Sequence, residues 1–337
     1  MALQRREFLT LMGGGVVSTV ALSACGKFGG TAKVDGPTIG MLQMVDAPPP
    51  NETRKGFEAA LAEAGYVSGK SVNYIQKDAA GELPNTNLVM KQFVGEKADM
   101  ILAVGTPPLQ AAMREVPETT PVIFCYCSNP WGAGAGTPPG GVGQHRPNVV
   151  GTIGTNPVGQ ELDLARQVNP QLKTVGLIFN PGEPNASYEA KILKEEAAKR
   201  NITVEEQSVA NSGEVLQAAQ VLASKKVEAF VKIGDYATIQ GFGSIARVGL
   251  ENKIPVYSVD ASDIDLPGCL ATIGWSYYDD GYAAGQLAVR VLKGESPATM
   301  PFEPLTKTDL LVNLATAKAI GVTIPEAVIK DAKEVRS

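Results

Sequence analysis

Histidine is nearly absent from this chain: His145 is the only one in 337 residues. That scarcity leaves no evident Ser-His or Cys-His pair and no histidine cluster for a catalytic metal. Cysteine is scarce too, with four residues, too few for a disulfide-built scaffold. Cys125 and Cys127 stand two apart in a strand-like run, so they share one face and a bridge between them would be strained. Cys-x-Cys without histidine neighbours is also a poor metal signature. With Cys269, these two read as buried free thiols. Basic charge is in deficit, 30 Lys and Arg against 35 Asp and Glu. Phosphate binding needs clustered cations, so nucleic acid is not an expected partner. Beyond residue 25 no run approaches 18 consecutive apolar residues, and no membrane-spanning helix is expected there.

What is present begins at the N-terminus. Arg5-Arg6-Glu7-Phe8-Leu9 precedes an uncharged stretch, Thr10 to Ala24, that ends in Leu22-Ser23-Ala24-Cys25. A basic segment, a short apolar segment and a small-residue cleavage box read in that order as an export signal over residues 1–24. With Gly13, Gly14 and Gly15 inside it, the apolar part is too short and too weak a helix to cross a bilayer of about 30 Å. Leu-Ser-Ala-Cys resembles the bacterial lipobox, which implies acylation of Cys25. Arg5 to Leu9 resembles the twin-arginine export motif, with Gln4 where Ser or Thr is usual. Residues 25–36 are then a lipidated flexible linker, and the protein is expected in the cell envelope, either in the periplasm or on the outer face of the cytoplasmic membrane. Removing Arg5, Arg6 and Glu7 leaves 28 basic against 34 acidic residues.

The remaining length exceeds the usual size of one domain and favours two lobes. Short β-branched runs alternate with helical periods, the signature of βαβ units. Strands are expected at Thr38–Gln43, Val72–Ile75, Asp99–Thr106 and Pro121–Tyr126. Between the first two, Phe57, Ala60, Leu61 and Ala64 fall at i, i+3, i+4 and i+7 of a helix closed by Gly65. Further helices are expected near 84–96 and 107–115. About 130 residues later the order recurs: strands at Thr174–Phe179, Val204–Val209, Glu228–Asp235 and Ile254–Val259, with helices near 185–200 and 213–225. A domain-level duplication of this kind predicts two lobes of parallel sheet with a cleft between them, and ligand sites beyond the carboxyl ends of the strands. The first pass carries an irregular insertion, Pro130 to Pro147, rich in Gly and Pro; it reads equally as a flap over the cleft or as a solvated loop.

Two nucleotide-like motifs fail on context. Gly65-Tyr66-Val67-Ser68-Gly69-Lys70-Ser71 is one residue short of a phosphate loop and precedes a strand instead of following one. Gly241-Phe242-Gly243-Ser244-Ile245-Ala246 sits inside a predicted helix. Asp46, Asp235 and Asp260 fall near strand ends, where paired acids could cleave glycosides, yet nothing in the doubled architecture calls for that. No enzyme, cofactor or metal is expected.

The expected strand ends carry polar groups in both halves: Gln43, Asp46, Thr106, Ser128 and Asn129 in the first, and Asn180, Asp235 and Asp260 in the second. Trp131, Tyr236, Trp275, Tyr277 and Tyr278 lie near them in sequence. A few polar groups with aromatic walls suit a small-molecule pocket, although the same residue types also serve turns and helix caps. Asp235 and Asp260 suit an ammonium or hydroxyls, and helix amides after Thr106 and Asn129 suit a carboxylate. A zwitterionic amino acid fits best, a sugar second and a phosphorylated ligand least.

Several segments carry a family resemblance: Ile39-Gly40-Met41-Leu42-Gln43, Gly56-Phe57 through Ala64-Gly65-Tyr66, Thr106-Pro107-Pro108-Leu109-Gln110-Ala111-Ala112, and Val175 to Pro181. Ile254-Pro255-Val256, Gly281-Tyr282-Ala283-Ala284-Gly285 and Asn313 to Gly321 complete it. Over residues 37–335 the chain resembles the substrate-binding lipoproteins of ABC importers, in the branch with tryptophan and tyrosine binders. The resemblance implies an α/β, periplasmic-binding-protein-like fold whose two lobes close by a hinge over the ligand. Lobe 1 would comprise 37–152 plus about 276–300, and lobe 2 would comprise 153–275 plus about 301–337. It also implies a monomeric receptor that hands a small ligand, best an aromatic or branched amino acid, to an ABC permease with its ATPase. The resemblance places Gln43, Thr106, Ser128, Asn129, Asn180, Asp235 and Asp260 at the pocket, and the strand-end reading adds Asp46, Trp275 and Tyr277 to the expected ligand residues. Alternatives are a sugar or nucleoside receptor, or a sensor lipoprotein for a membrane kinase. Ile233-Gly234-Asp235-Tyr236 and the long insertion depart from the family pattern.

Overall fold

The computed structural model describes residues 35–337. The export signal, the lipobox with Cys25 and most of the linker lie outside the described residues. The first half runs β1 (Thr38–Gln43), α1 (Pro48–Glu63), β2 (Asn73–Asp78), α2 (Leu83–Gly95), β3 (Met100–Val104), α3 (Thr106–Glu115), β4 (Val122–Cys127) and β5 (Val149–Ile153). The second runs α4 (Val158–Val168), β6 (Thr174–Phe179), α5 (Pro184–Lys199), β7 (Thr203–Ser208), α6 (Val215–Ser224), β8 (Ala229–Lys232), α7 (Tyr236–Asn252), β9 (Val256–Ser258) and β10 (Cys269–Gly274). The tail adds α8 (Tyr277–Leu292), β11 (Glu303–Pro304), β12 (Asp309–Asn313), α9 (Leu314–Ile320), α10 (Glu326–Asp331) and β13 (Glu334–Arg336).

Two sheets form, in the orders β11-β5-β4-β3-β1-β2 and β13-β12-β10-β9-β8-β6-β7. All pairings are parallel except β10 with β12. Helices cover both faces of each sheet, so the central strands read as unbroken apolar runs such as Met100-Ile101-Leu102-Ala103-Val104, all buried. In that strand Ile101 and Ala103 pack with Phe93 and Leu109, while Met100, Leu102 and Val104 pack with Phe57, Leu61 and Leu287. The helix α1 starts on Pro48-Pro49-Pro50, where a missing N–H costs nothing. It crosses α8 so closely that a Cβ on Gly281 would lie 1.6 Å from the Thr53 carbonyl oxygen.

The chain passes from the first sheet to the second after β5, returns after β10, and crosses again after β11. Glu303 and Pro304 pair with Thr152 and Ile153, so residues 301–304 stay with the first sheet, beyond the changeover expected at about 301. Phe302 holds them there, edge-on to Phe124 at 4.7 Å and stacked on His145 at 4.6 Å. The insertion at 130–147 packs on the same edge and is no flap over the cleft. Trp131 stacks on Phe302 at 5.8 Å, Ala133 and Ala135 are buried, and the Arg146 guanidinium donates to the Met113 carbonyl at 2.6 Å. Cys125, Cys127 and Cys269 are buried free thiols. The Gly241-Phe242-Gly243 run lies inside α7, and Gly65 to Ser71 precede β2. Among the described residues, no helix is long and apolar enough to cross a membrane.

Candidate ligand-binding site

A small cavity of about 20 Å³ lies between the lobes, beyond the carboxyl ends of β4 and β8. Tyr126 and Ser128 reach it from the end of β4, Gly154 and Trp275 from two of the crossings, and Asn185 and Glu189 from α5. Asn156, Gly234, Tyr236 and Ile239 complete the lining.

The walls are aromatic. Tyr126 stands 6.2 Å from Trp275 and 6.3 Å from Tyr236, centroid to centroid. Tyr236 belongs to the second lobe by sequence, yet it is buried in the apolar cluster of the first. Its hydroxyl sits where a Cβ on Gly105 would be, at 2.0 Å, and Gly105 at φ 110° holds a conformation that other residues rarely adopt. The lobes are therefore in contact across the cavity.

The floor is polar and carries a buried acid. Glu189 is 1% exposed and accepts from Asn156 Nδ2 at 3.0 and 3.1 Å and from the Gly234 N–H at 2.8 Å. Burial pushes its carboxyl up to about 7, with those donors pulling the other way. Asn185 Nδ2 donates to the Gly234 carbonyl at 2.7 Å. Four buried polar atoms of the lining have no hydrogen-bond partner among the described residues: Ser128 Oγ, Asn156 Oδ1, Asn185 Oδ1 and Trp275 Nε1. Two are acceptors beside a carboxylate, one is a donor, and the Ser128 hydroxyl can do either. Buried polar atoms are almost always satisfied, so such a set marks a place where a ligand completes the network. No Lys or Arg lines the cavity.

Of the residues singled out from sequence, Ser128, Trp275 and, among the aromatics noted nearby, Tyr236 line this cavity. Tyr277 stands behind it, against Tyr126 at 5.2 Å and Trp275 at 5.0 Å. Its hydroxyl donates to Asp260, which also takes the buried Lys232 ammonium; Lys232 reaches Asp263 at 2.8 Å. Burial, then the like charge of Asp263, raises Asp260 well above the ordinary carboxylate range. Asp235 caps α7, accepting the Thr238 N–H at 2.6 Å and the Asn180 N–H at 2.7 Å, so both its oxygens are taken. Asn180 and Asn129 hold their own turns through Gly182 and Gly132, and Thr106 accepts the Asn129 N–H at 3.3 Å. Gln43 and Asp46 line a separate recess on the first lobe and are tied to Asn51 at 2.8 and 2.6 Å. Caps and ligand groups use the same residue types, which is why sequence did not separate them.

Tyr126, Asn156, Asn185, Glu189 and Ile239 escaped the sequence reading as ligand groups. A signal existed for two of them. Asn185 and Glu189 lie on the buried face of α5 with Ala186, Ala190 and Leu193, polar residues in an apolar stripe.

The chain is 30% identical over 332 residues to a tyrosine-binding protein of Clostridioides difficile, covering 95% of this chain and 94% of that one. Its fold matches a crystal structure of an ABC domain from Streptococcus pneumonia in complex with L-Trp, with TM-score 0.82 and 28% identity over 89% of this chain and all of that one. A ligand-free, open structure of a substrate-binding protein with adhesive properties from Clostridium difficile fits less well, at 0.67 and 30% identity over 89% and 99% of the two chains. The family model for ABC transporter substrate binding proteins matches residues 38–336, and the chain belongs to that family of solute receptors, which are not enzymes.

Proposed function

We propose that this receptor binds an amino acid with an aromatic side chain and delivers it to an ABC permease with its ATPase, working as a lipid-anchored monomer in the cell envelope. The carrying observation is the cavity's polar set: a buried carboxylate, Glu189, beside two unpartnered acceptors, Asn156 Oδ1 and Asn185 Oδ1. An ammonium has three donors and no acceptor, and three acceptors in a cavity without a cation are its complement. Trp275 Nε1 would donate to the ligand carboxylate, while Tyr126, Tyr236 and Ile239 would pack its side chain. Because those groups come from both lobes, ligand binding favours the closed arrangement. The tyrosine and L-Trp named for two relatives support the same ligand class.

The test is a thermal-shift and calorimetric panel of L-Trp, L-Tyr, L-Phe, L-Leu, glucose and adenosine. A ligand at 100 times its Kd adds about 2.7 kcal/mol of stability and so raises Tm by several degrees. The expected responders are the aromatic amino acids. Response to glucose or adenosine alone, or to none of the six, overturns the reading.

A further inference from the structure

We propose that Asp280 is a positioning residue for the ligand cavity: its carboxylate clamps a bulge in β4 and thereby aims the Tyr126 ring into the site. The proposal rests on reading that cavity as the ligand site. In the β4–β5 pairing Phe124 faces Gly151 but Cys127 faces Ile153, so Cys125 and Tyr126 together oppose Thr152. One extra residue in one strand is a β-bulge, which bends the strand and redirects a side chain. Tyr126 adopts φ 52°, in the left-handed region. A bulky residue stays there only when its surroundings fix it.

Asp280 supplies that fixation. Its Oδ2 accepts the Tyr126 N–H at 2.7 Å, and its Oδ1 accepts the hydroxyl of Thr152, the residue opposite the bulge. One carboxylate therefore holds both strands at their irregular point. Asp280 is 0% exposed, in the first turn of α8, and no ion pair reaches it among the described residues. A buried carboxylate without a cation costs free energy that its hydrogen bonds must offset. What the carboxylate holds accounts for it: the Tyr126 ring, placed between Tyr236 and Trp275, forms the aromatic wall.

The experiment compares Asp280→Ala, Asp280→Asn and Thr152→Val with the wild-type chain. Exchange of the Tyr126 amide proton is followed by NMR without ligand, and Kd values are measured for L-Trp, L-Tyr and L-Leu. Asparagine keeps an acceptor for the Tyr126 N–H, whereas alanine has none. We expect Asp280→Ala to speed Tyr126 amide exchange and weaken aromatic ligands, each about tenfold or more, with a smaller loss for L-Leu. Asp280→Asn should restore both, and Thr152→Val should fall between. If Asp280→Ala does not fold, the same ordering of Thr152→Val and Asp280→Asn against wild type decides. Unchanged Tyr126 exchange, or an equal loss for all three ligands, overturns the clamp. Failure of the wild-type protein to bind any amino acid overturns the ligand reading instead, and the exchange rates without ligand still decide whether Asp280 fixes the bulge.

Discussion

Glu189 combines a site cost with a binding gain. Its carboxyl is held near 7 by burial, so the free protein carries a mixed population of protonated and ionised acid at neutral pH. Only the ionised form pairs with an ammonium. The apparent Kd for an aromatic amino acid should therefore weaken as pH falls, by about tenfold from pH 8 to pH 6; calorimetry at the two values checks this, and a flat profile refutes it. Glu189→Gln keeps the shape and removes the charge. It should cost about 1.5–3 kcal/mol of ligand affinity, the range for a hydrogen bond to a charged group, while Tm without ligand holds or rises. Lys232 is the opposite case, since its ammonium serves Asp260 and Asp263 and touches no ligand. Lys232→Met strands two buried acids and should destabilise the fold by about 3–5 kcal/mol in urea titration. Neither Lys232 partnership was visible in the sequence, because each joins residues from separate elements.

At the scale of elements, patterns of periodicity survived folding well. The strand expected at Thr174–Phe179 forms over those residues, and the helix expected near 185–200 runs from Pro184 to Lys199. Such elements are legible because their apolar spacing matches one local geometry. Less legible were β5, α4 and β10, whose short runs gain their meaning from the sheet they join. The pair α1 and α8 is a stronger case: Gly56 and Gly281 are ordinary glycines in sequence and contact points in the fold. A Cβ at Gly281 meets backbone, which cannot turn aside. Gly281→Ala should cost at least about 2 kcal/mol by forcing the helices apart. A measured loss below 0.5 kcal/mol, as at an exposed helix position, would show that the crossing is slack.

For the whole molecule, the buried acids set the response to pH. Burial raises Glu161 to about 8, Glu189 to about 7 and Asp280 to about 6. In the unfolded chain these groups ionise near 4, so between those values the folded protein binds more protons. Their stabilising contribution is full below about pH 4 and is lost as pH rises through 6 to 8. Tm without ligand should accordingly be lower at pH 8.5 than at pH 5.5 in scanning calorimetry; an increase over that range would refute the assignment. The sequence by itself determined the alternating elements, their duplication and hence two parallel sheets with a cleft, because hydrophobic spacing is a local property of the chain. It also marked Ser128 and Trp275 at the cleft. Only the tertiary structure decided that Asp235 caps a helix, that Asp260 serves Lys232, and that Glu189, Asn156 and Asn185 face one cavity. Those outcomes depend on which partners the crossings bring within hydrogen-bond reach, and residue type alone carries no record of that.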